Sequence, residues 1–469
     1  MKPSPKLIAS LRWLLLGVAS LATLFAVFIA EENWRGDRAW AAVERELKAK
    51  GERLEYRAIL PPPVPDGQNF FKAPLLARVL YEPPSAEKAK ILAETHLRDF
   101  YFTGHLGDGA TTDLTALRDH LIRIHRLAVI DSEPPATGIL NAFRPLQPLL
   151  DELRQAARQR PAAVLDSGSL PFEHPWLDTN VVLNLGQALA LRASAELALG
   201  RTDDAFEDTF ATLRFANNLT AQSYNLMGLL IGEATLSAAT RPIAEGRQRH
   251  VWTEAQLATF QRLLLELHPL NAFKEAICAI RTASLQIIDA MPAVPPTLTP
   301  DHFSWPLWLF HGWAQQNKVA VCLHLDEDAL ATFTVSPERI FHDRVEHAQQ
   351  SIHILEKSRS PYEWVAQRGL LRNIVSLLEG LGHTADSIVE AATACALERH
   401  RLAHGRDPEK LDELVPALLP AVPTGIFDGQ PLRYIKLPQG GHRIYSSGPN
   451  GRDDAGKGDD IVLQLPDAS

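Results

Sequence analysis

From Trp13 to Ala30 the chain reads WLLLGVASLATLFAVFIA, without one charged side chain. A run of that length either crosses the hydrocarbon of a bilayer as a helix or must be buried whole inside a protein core. Lys2, Lys6 and Arg12 precede it and Glu31-Glu32 closes it, and no small-x-small cleavage pattern stands at its end. It therefore reads as an uncleaved anchor, with a cleaved signal peptide as the competing reading. Residues 1–32 form a short tail and a transmembrane helix. Arg35, Arg38, Arg45, Lys48 and Lys50 follow the span, yet large domains translocate largely regardless of such charges. The expected placement is a single pass through the cytoplasmic (inner) membrane, with the bulk of the chain outside the cytoplasm.

The 469 residues, 46% of them hydrophobic, suffice for two or three packed domains. A formal net charge of -9 and the lack of any Lys/Arg cluster argue against a nucleic-acid partner, whose phosphates demand clustered cations. Cys278, Cys322 and Cys395 are far apart and form no CxxC pair, so neither a zinc ribbon nor a disulfide scaffold is indicated.

Residues 33–85 read as a juxtamembrane helix and a spacer. Trp40, Val43 and Leu47 share one face, Gly51 stops the helix, residues 54–60 look extended, and Pro61-Pro-Pro-Val-Pro65 is stiff. Residues 86–385 read as a helical body. Thr112 or Asp113 caps one helix, Leu146, Leu149, Leu150 and Leu153 line another, and Thr253 with Gln256 forms a capping box. The pair over 184–216, broken at Gly200, resembles the hinge of a single tetratricopeptide repeat, without a second copy. His120 and His125 are ordinary helix histidines. Phe303, Trp305, Trp308, Phe310 and Trp313 crowd a proline-rich segment and read as gap-filling core. Two helices, over 336–356 and 362–382, complete the body.

Signs of catalysis are near misses. There is no Gly-x-Ser-x-Gly and no His-Glu-x-x-His. Gly451–Gly458 has phosphate-loop glycines, but Asp453 and Asp454 would repel phosphate and a strand follows where a helix is needed. Cys322 to Asp328 reads as a solvated acidic turn. His400 and His404 have metal-compatible spacing but sit at a helix end, where they compensate the helix dipole.

Residues 386–469 form a separate small α+β module. A helix ends at Gly405, a short helix starts at Pro408, and Pro431–Leu437, His442–Ser446 and Ile461–Leu465 read as strands of one antiparallel sheet. The loop before the last strand carries Asp453, Asp454, Asp459 and Asp460. Together with Ser447 these are the candidate oxygen donors for a hard cation, calcium first. The order of elements resembles the soluble part of the major pseudopilin of type II secretion systems. So do Ala403-His-Gly405-Arg-Asp-Pro408, Tyr445-Ser-Ser-Gly448-Pro-Asn-Gly451 and Gly458-Asp-Asp460. That resemblance implies a calcium-binding loop before the final strand. The chain departs from it in having an internal helix and Gly425-Ile426-Phe427 where the family carries Asp-Pro before an aromatic. The whole chain also looks like a set of uncharacterised single-anchor bacterial envelope proteins.

The expectation is thus a mainly α protein with an N-terminal transmembrane helix, a helical-bundle body and a small antiparallel sheet. Its expected role is interaction or scaffolding in the envelope, with a protein partner there, rather than catalysis. The alternative is an envelope hydrolase with a site between body and module, using His324, Asp326 or the helix histidines. A titratable group of perturbed acidity in a cleft at that place favours the alternative.

Overall fold

The computed structural model describes residues 5–81, 85–97, 111–124, 134–165, 177–222, 226–290, 311–367, 370–437 and 441–465. The apolar run and the helix-forming residues after it make one unbroken helix, α1 (Pro5–Ala49). One turn, α2 (Tyr56–Ile59), follows, then α3 (Pro74–Val79), α4 (Ala86–Thr95), α5 (Leu114–Arg123), α6 (Pro135–Ala142) and α7 (Gln147–Gln159). The longer helices are α8 (Thr179–Ala198), α9 (Thr202–Thr220), α10 (Leu226–Gln248), α11 (Glu254–Leu265) and α12 (Pro269–Ala290). Next come α13 (His311–His324), the hairpin β1 (Phe333–Val335) and β2 (Glu338–Ile340), α14 (His342–Lys357) and α15 (Leu370–His404). A three-stranded antiparallel sheet of β3 (Arg433–Lys436), β4 (His442–Ser446) and β5 (Ile461–Leu465) ends the fold, with β4 central. The protein is therefore mainly helical, with small antiparallel sheets near its C-terminus. His125 and Phe303, Trp305, Trp308 and Phe310 lie outside the described residues.

The chain divides into two compact units. The first comprises Met1–Ile59, Ile280–Ala329 and His347–Val375, the second Leu60–Ala279, Leu330–Glu346 and Ser376–Ser469. The expected boundaries at 85/86 and 385/386 both fall inside the second.

In the first unit α1 is long and apolar enough to cross a membrane, and Leu11, Leu14, Leu21, Leu24 and Phe25 are exposed along it. The helix does not end where the apolar run does. It crosses α13 with the two backbones in contact, since a Cβ on Gly36 would lie 2.3 Å from the Gly312 carbonyl oxygen. Trp313 Nε1 and the Tyr362 hydroxyl both donate to Glu32, at 3.0 and 2.8 Å. Beyond the crossing, Leu47 is buried with Leu285 and Cys322, flanked by Trp40 and Val43 as their spacing predicts. Gly51, at φ +79°, ends the helix in a left-handed turn. Residues 54–60 are not extended throughout, because α2 forms there with Tyr56 buried.

Arg281, almost fully buried, pairs with Glu52 at 2.5 Å and Asp326 at 2.6 Å. The acidic run expected to be a solvated turn instead prolongs α13 as a π-helical turn over Leu325–Ala329. Leu325 and Ala329 are buried, and Asp328 is drawn in with them because His324 Nδ1 and the Ser351 hydroxyl meet its carboxylate at 2.7 and 3.1 Å.

In the second unit α8, α9 and α10 pack at close approach through small residues. A Cβ on Gly186 would be 2.6 Å from Thr235, and one on Gly232 would be 2.9 Å from the Thr220 nitrogen. Fully buried Asp208 accepts from Arg192 Nε and Nη2, both at 2.6 Å, and from Arg154. That carboxylate ties α7, α8 and α9 together. Asp113 caps α5, and the Thr253–Gln256 capping box starts α11 as expected.

Two helix boundaries differ from the sequence expectation. The helix expected from Ser336 starts at His342, because Phe333–Val335 and Glu338–Ile340 pair as a hairpin with Phe333 and Ile340 buried. The helices expected to stop at Gly382 and to resume near Ile388 are one, α15. Gly382 does not break it, since its missing side chain makes room for Phe427, whose Cζ would lie 2.3 Å from an added Cβ. Gly380, two residues earlier, is exposed with nothing near an added Cβ. Gly380→Ala is accordingly expected to stabilise the fold by up to ~1 kcal/mol through helix propensity. Gly382→Ala is expected to cost ~1–3 kcal/mol by overpacking. Denaturant unfolding of the two variants should shift the midpoint in opposite directions.

Candidate functional site

The turn between β4 and β5 is shaped by positions that only glycine fills easily. A Cβ on Gly448 would lie 1.9 Å from the Asp459 carbonyl oxygen, and Gly451, Gly456 and Gly458 all have left-handed φ. The compression turns carboxylates inward. One oxygen each of Asp454, Asp459 and Asp460 lie within 4.8 Å of one another. Asn450 organises two of them, its backbone nitrogen donating to Asp459 at 3.0 Å and its side-chain amide to Asp454 at 3.2 Å. Asp460 is the buried member. Its Oδ2 accepts from the Asp454 and Gly456 nitrogens at 3.0 and 2.8 Å, while its Oδ1 is buried without a hydrogen-bond partner.

The other two candidate donors are placed elsewhere. Asp453 accepts from the Ala455 nitrogen at 2.9 Å and pairs with Arg433 at 3.3 Å. The Ser447 hydroxyl donates to Asp428 at 2.9 Å, and Asp428 also pairs with Arg433. Arg433 thus gathers Asp428 and Asp453 on one side of the loop, apart from the trio of Asp454, Asp459 and Asp460.

Several of the residues offered for hydrolysis are engaged by neighbours. His324 faces Asp328, Asp326 pairs with Arg281, and His400 and His404 stack at 4.1 Å with their Nδ1 atoms against the Arg406 and His400 carbonyl oxygens. Both contacts place an imidazole nitrogen against a carbonyl oxygen at the C-terminal end of α15.

A second group went unread in the sequence. Asp386 and Glu390 lie one turn apart on α15, both buried, amid a smooth run of small and apolar residues. Asp386 Oδ1 accepts from the Ile426 nitrogen at 2.8 Å, which pins the 425–429 turn to the helix. Burial pushes its carboxyl up to about 7, helped by Asp428 and opposed by the Ile426 hydrogen bond and by Arg433. Burial and the neighbouring Asp386 push Glu390 well above the usual carboxylate range. Glu390 lines a cleft between α10, α15 and β5, and no histidine stands among the residues lining it. The only sequence signal was an acidic pair four apart on an apolar face, which periodicity reads as ordinary helix.

No family model, no curated protein and no solved structure matches this chain.

The raised pKa of Asp386 has a measurable sign. Its contribution to stability is complete below about pH 4 and is lost as pH rises through about 7, because the folded state holds the proton more tightly than the unfolded one. The shift corresponds to at most ~4 kcal/mol. Asp386→Asn keeps an acceptor for the Ile426 nitrogen, and thermal unfolding measured from pH 4 to 8 should fall less steeply in that variant than in the parent protein.

Proposed function

We propose that the protein is a single-pass, membrane-anchored scaffold or interaction protein of the bacterial envelope. α1 spans the cytoplasmic (inner) membrane, the bulk of the chain lies outside the cytoplasm, and a calcium ion stiffens the C-terminal module that meets a protein partner. One observation carries the metal reading: three carboxylates converge, and the buried Asp460 keeps an oxygen that no protein donor satisfies. The donor set is all oxygen, as calcium requires. Ligands about 2.4 Å from one ion are at most about 4.8 Å apart, in keeping with the observed spread of the trio. Asp454, Asp459 and Asp460 would hold the ion, and its charge would offset their mutual repulsion. The resemblance to the pseudopilin module supports the same reading, and the length and apolarity of α1 support the anchor.

A second reading, an envelope hydrolase, is favoured by Glu390, a buried acid of raised pKa in the cleft between α10 and the C-terminal sheet. Hydrolysis there also needs a nucleophile or a water-activating base beside that acid, and the lining offers only the Ser387 and Thr240 hydroxyls. The scaffold reading accounts for more of the molecule.

Thermal unfolding of the detergent-solubilised full chain, with calcium and with chelator, tests the metal. An ion that binds only the folded form at a hundred times its Kd adds about 2.7 kcal/mol. Calcium is expected to raise the midpoint with the logarithm of its concentration above Kd, and Asp454→Asn with Asp459→Asn to abolish the rise. An unchanged midpoint at millimolar calcium would show the loop to be a solvated turn.

A further inference from the structure

The cleft that Glu390 lines has features of a ligand site that neither the anchor nor the acidic loop explains. It encloses about 150 Å³, and an apolar cavity of that size holds a benzene-sized molecule. Most of its wall is apolar, built by Ile243 of α10, Ala391 of α15 and Leu463 of β5. Beside the Thr240 and Ser387 hydroxyls, three charged groups line it. Arg241 and Arg247, nearly two turns apart on α10, line it from one side, and Glu390 lines it from α15.

Two of these groups are short of partners. Glu390 is 3% exposed, and its Oε1 is buried without a hydrogen-bond partner. Arg241 forms no hydrogen bond or ion pair with any described residue. Its guanidinium is partly withdrawn from water, which lowers its pKa, and Glu245 one turn on is turned to the Thr112 nitrogen and the Ser194 hydroxyl at 2.6 and 3.0 Å. A cation half out of water lining the same cleft as a buried acid with a spare oxygen is costly unless something answers both.

We propose that this cleft binds a small monocarboxylate with a compact apolar body, its carboxylate held by Arg241 and Glu390 and its body against Ile243, Ala391 and Leu463. The pairing is chemically consistent. Burial and the neighbouring Asp386 favour the protonated form of Glu390, and in that form the acid donates to the ligand carboxylate while Arg241 supplies the opposing charge. A neutral ligand would leave Arg241 unanswered, and a cationic one would be repelled by both arginines. A compact body, aromatic or branched, fits the volume where a long chain does not.

Benzoate is the probe, titrated into the full-length protein in detergent and calcium-free buffer, so that the result is independent of the acidic loop. Ligand-observed NMR and calorimetry are the readouts. Saturable binding near 1 mM or tighter is expected. Benzyl alcohol and benzylamine, of the same shape without the negative charge, should bind at least tenfold more weakly. Arg241→Met should weaken benzoate by at least tenfold, and Arg241→Lys should recover part of the loss. Arg241 is partly exposed and holds no structural bond, so an unchanged unfolding midpoint in Arg241→Met checks that the variant is folded. The proposal is overturned if benzoate and 3-methylbutanoate both fail to bind at about ten times that concentration. Equal binding of benzyl alcohol, or undiminished benzoate binding by Arg241→Met, overturns it as well.

Discussion

Asp208 is the constraint around which the larger unit is organised. It is a fully buried carboxylate, and an ion removed from water is tolerated only when its partners come with it. Arg192 supplies two donors from α8 and Arg154 a further one from α7, so three helices must hold one geometry to keep one charge satisfied. The close approach that makes this possible depends on Gly186 and Gly232, where any side chain would collide with the next helix. Glu196 shares the network, and burial raises its carboxyl to about 8, so the cluster carries less negative charge at neutral pH than a residue count implies.

The first unit repeats this logic with opposite sign. Here the buried ion is the cation Arg281, and the acids Glu52 and Asp326 come to it from partly exposed positions. In both units burial of a charge fixes how separate helices register, a specificity that apolar contacts alone provide less sharply.

Much of the fold was legible because it rests on local signals. The apolar run, the Gly51 stop, the break at Gly200, the Thr253 capping box and the three C-terminal strands each follow from residues close in sequence. What escaped depends on residues far apart. Gly382 reads as a helix end until Phe427 is seen to occupy the space above it, and Asp328 reads as solvated until Ser351 reaches it. The same holds for the candidate sites. The clustering of Asp454, Asp459 and Asp460 was readable from glycine-rich spacing, whereas the turn of Asp453 and Ser447 toward Arg433 and Asp428 was not. Asp386 and Glu390 were invisible as a pair because their meaning comes from Ile426 and from the wall opposite, contributed by α10.

The continuity of α1 has a mechanical consequence. Its 45 residues form one rod about 67 Å long, with no proline or loop between the exposed apolar side chains and the packed face at Trp40, Val43 and Leu47. A hinge within it would let the packed face swivel independently of the exposed apolar stretch. Here one unbroken helix joins the exposed leucines to Leu47 and, through the Gly36–Gly312 crossing, to α13.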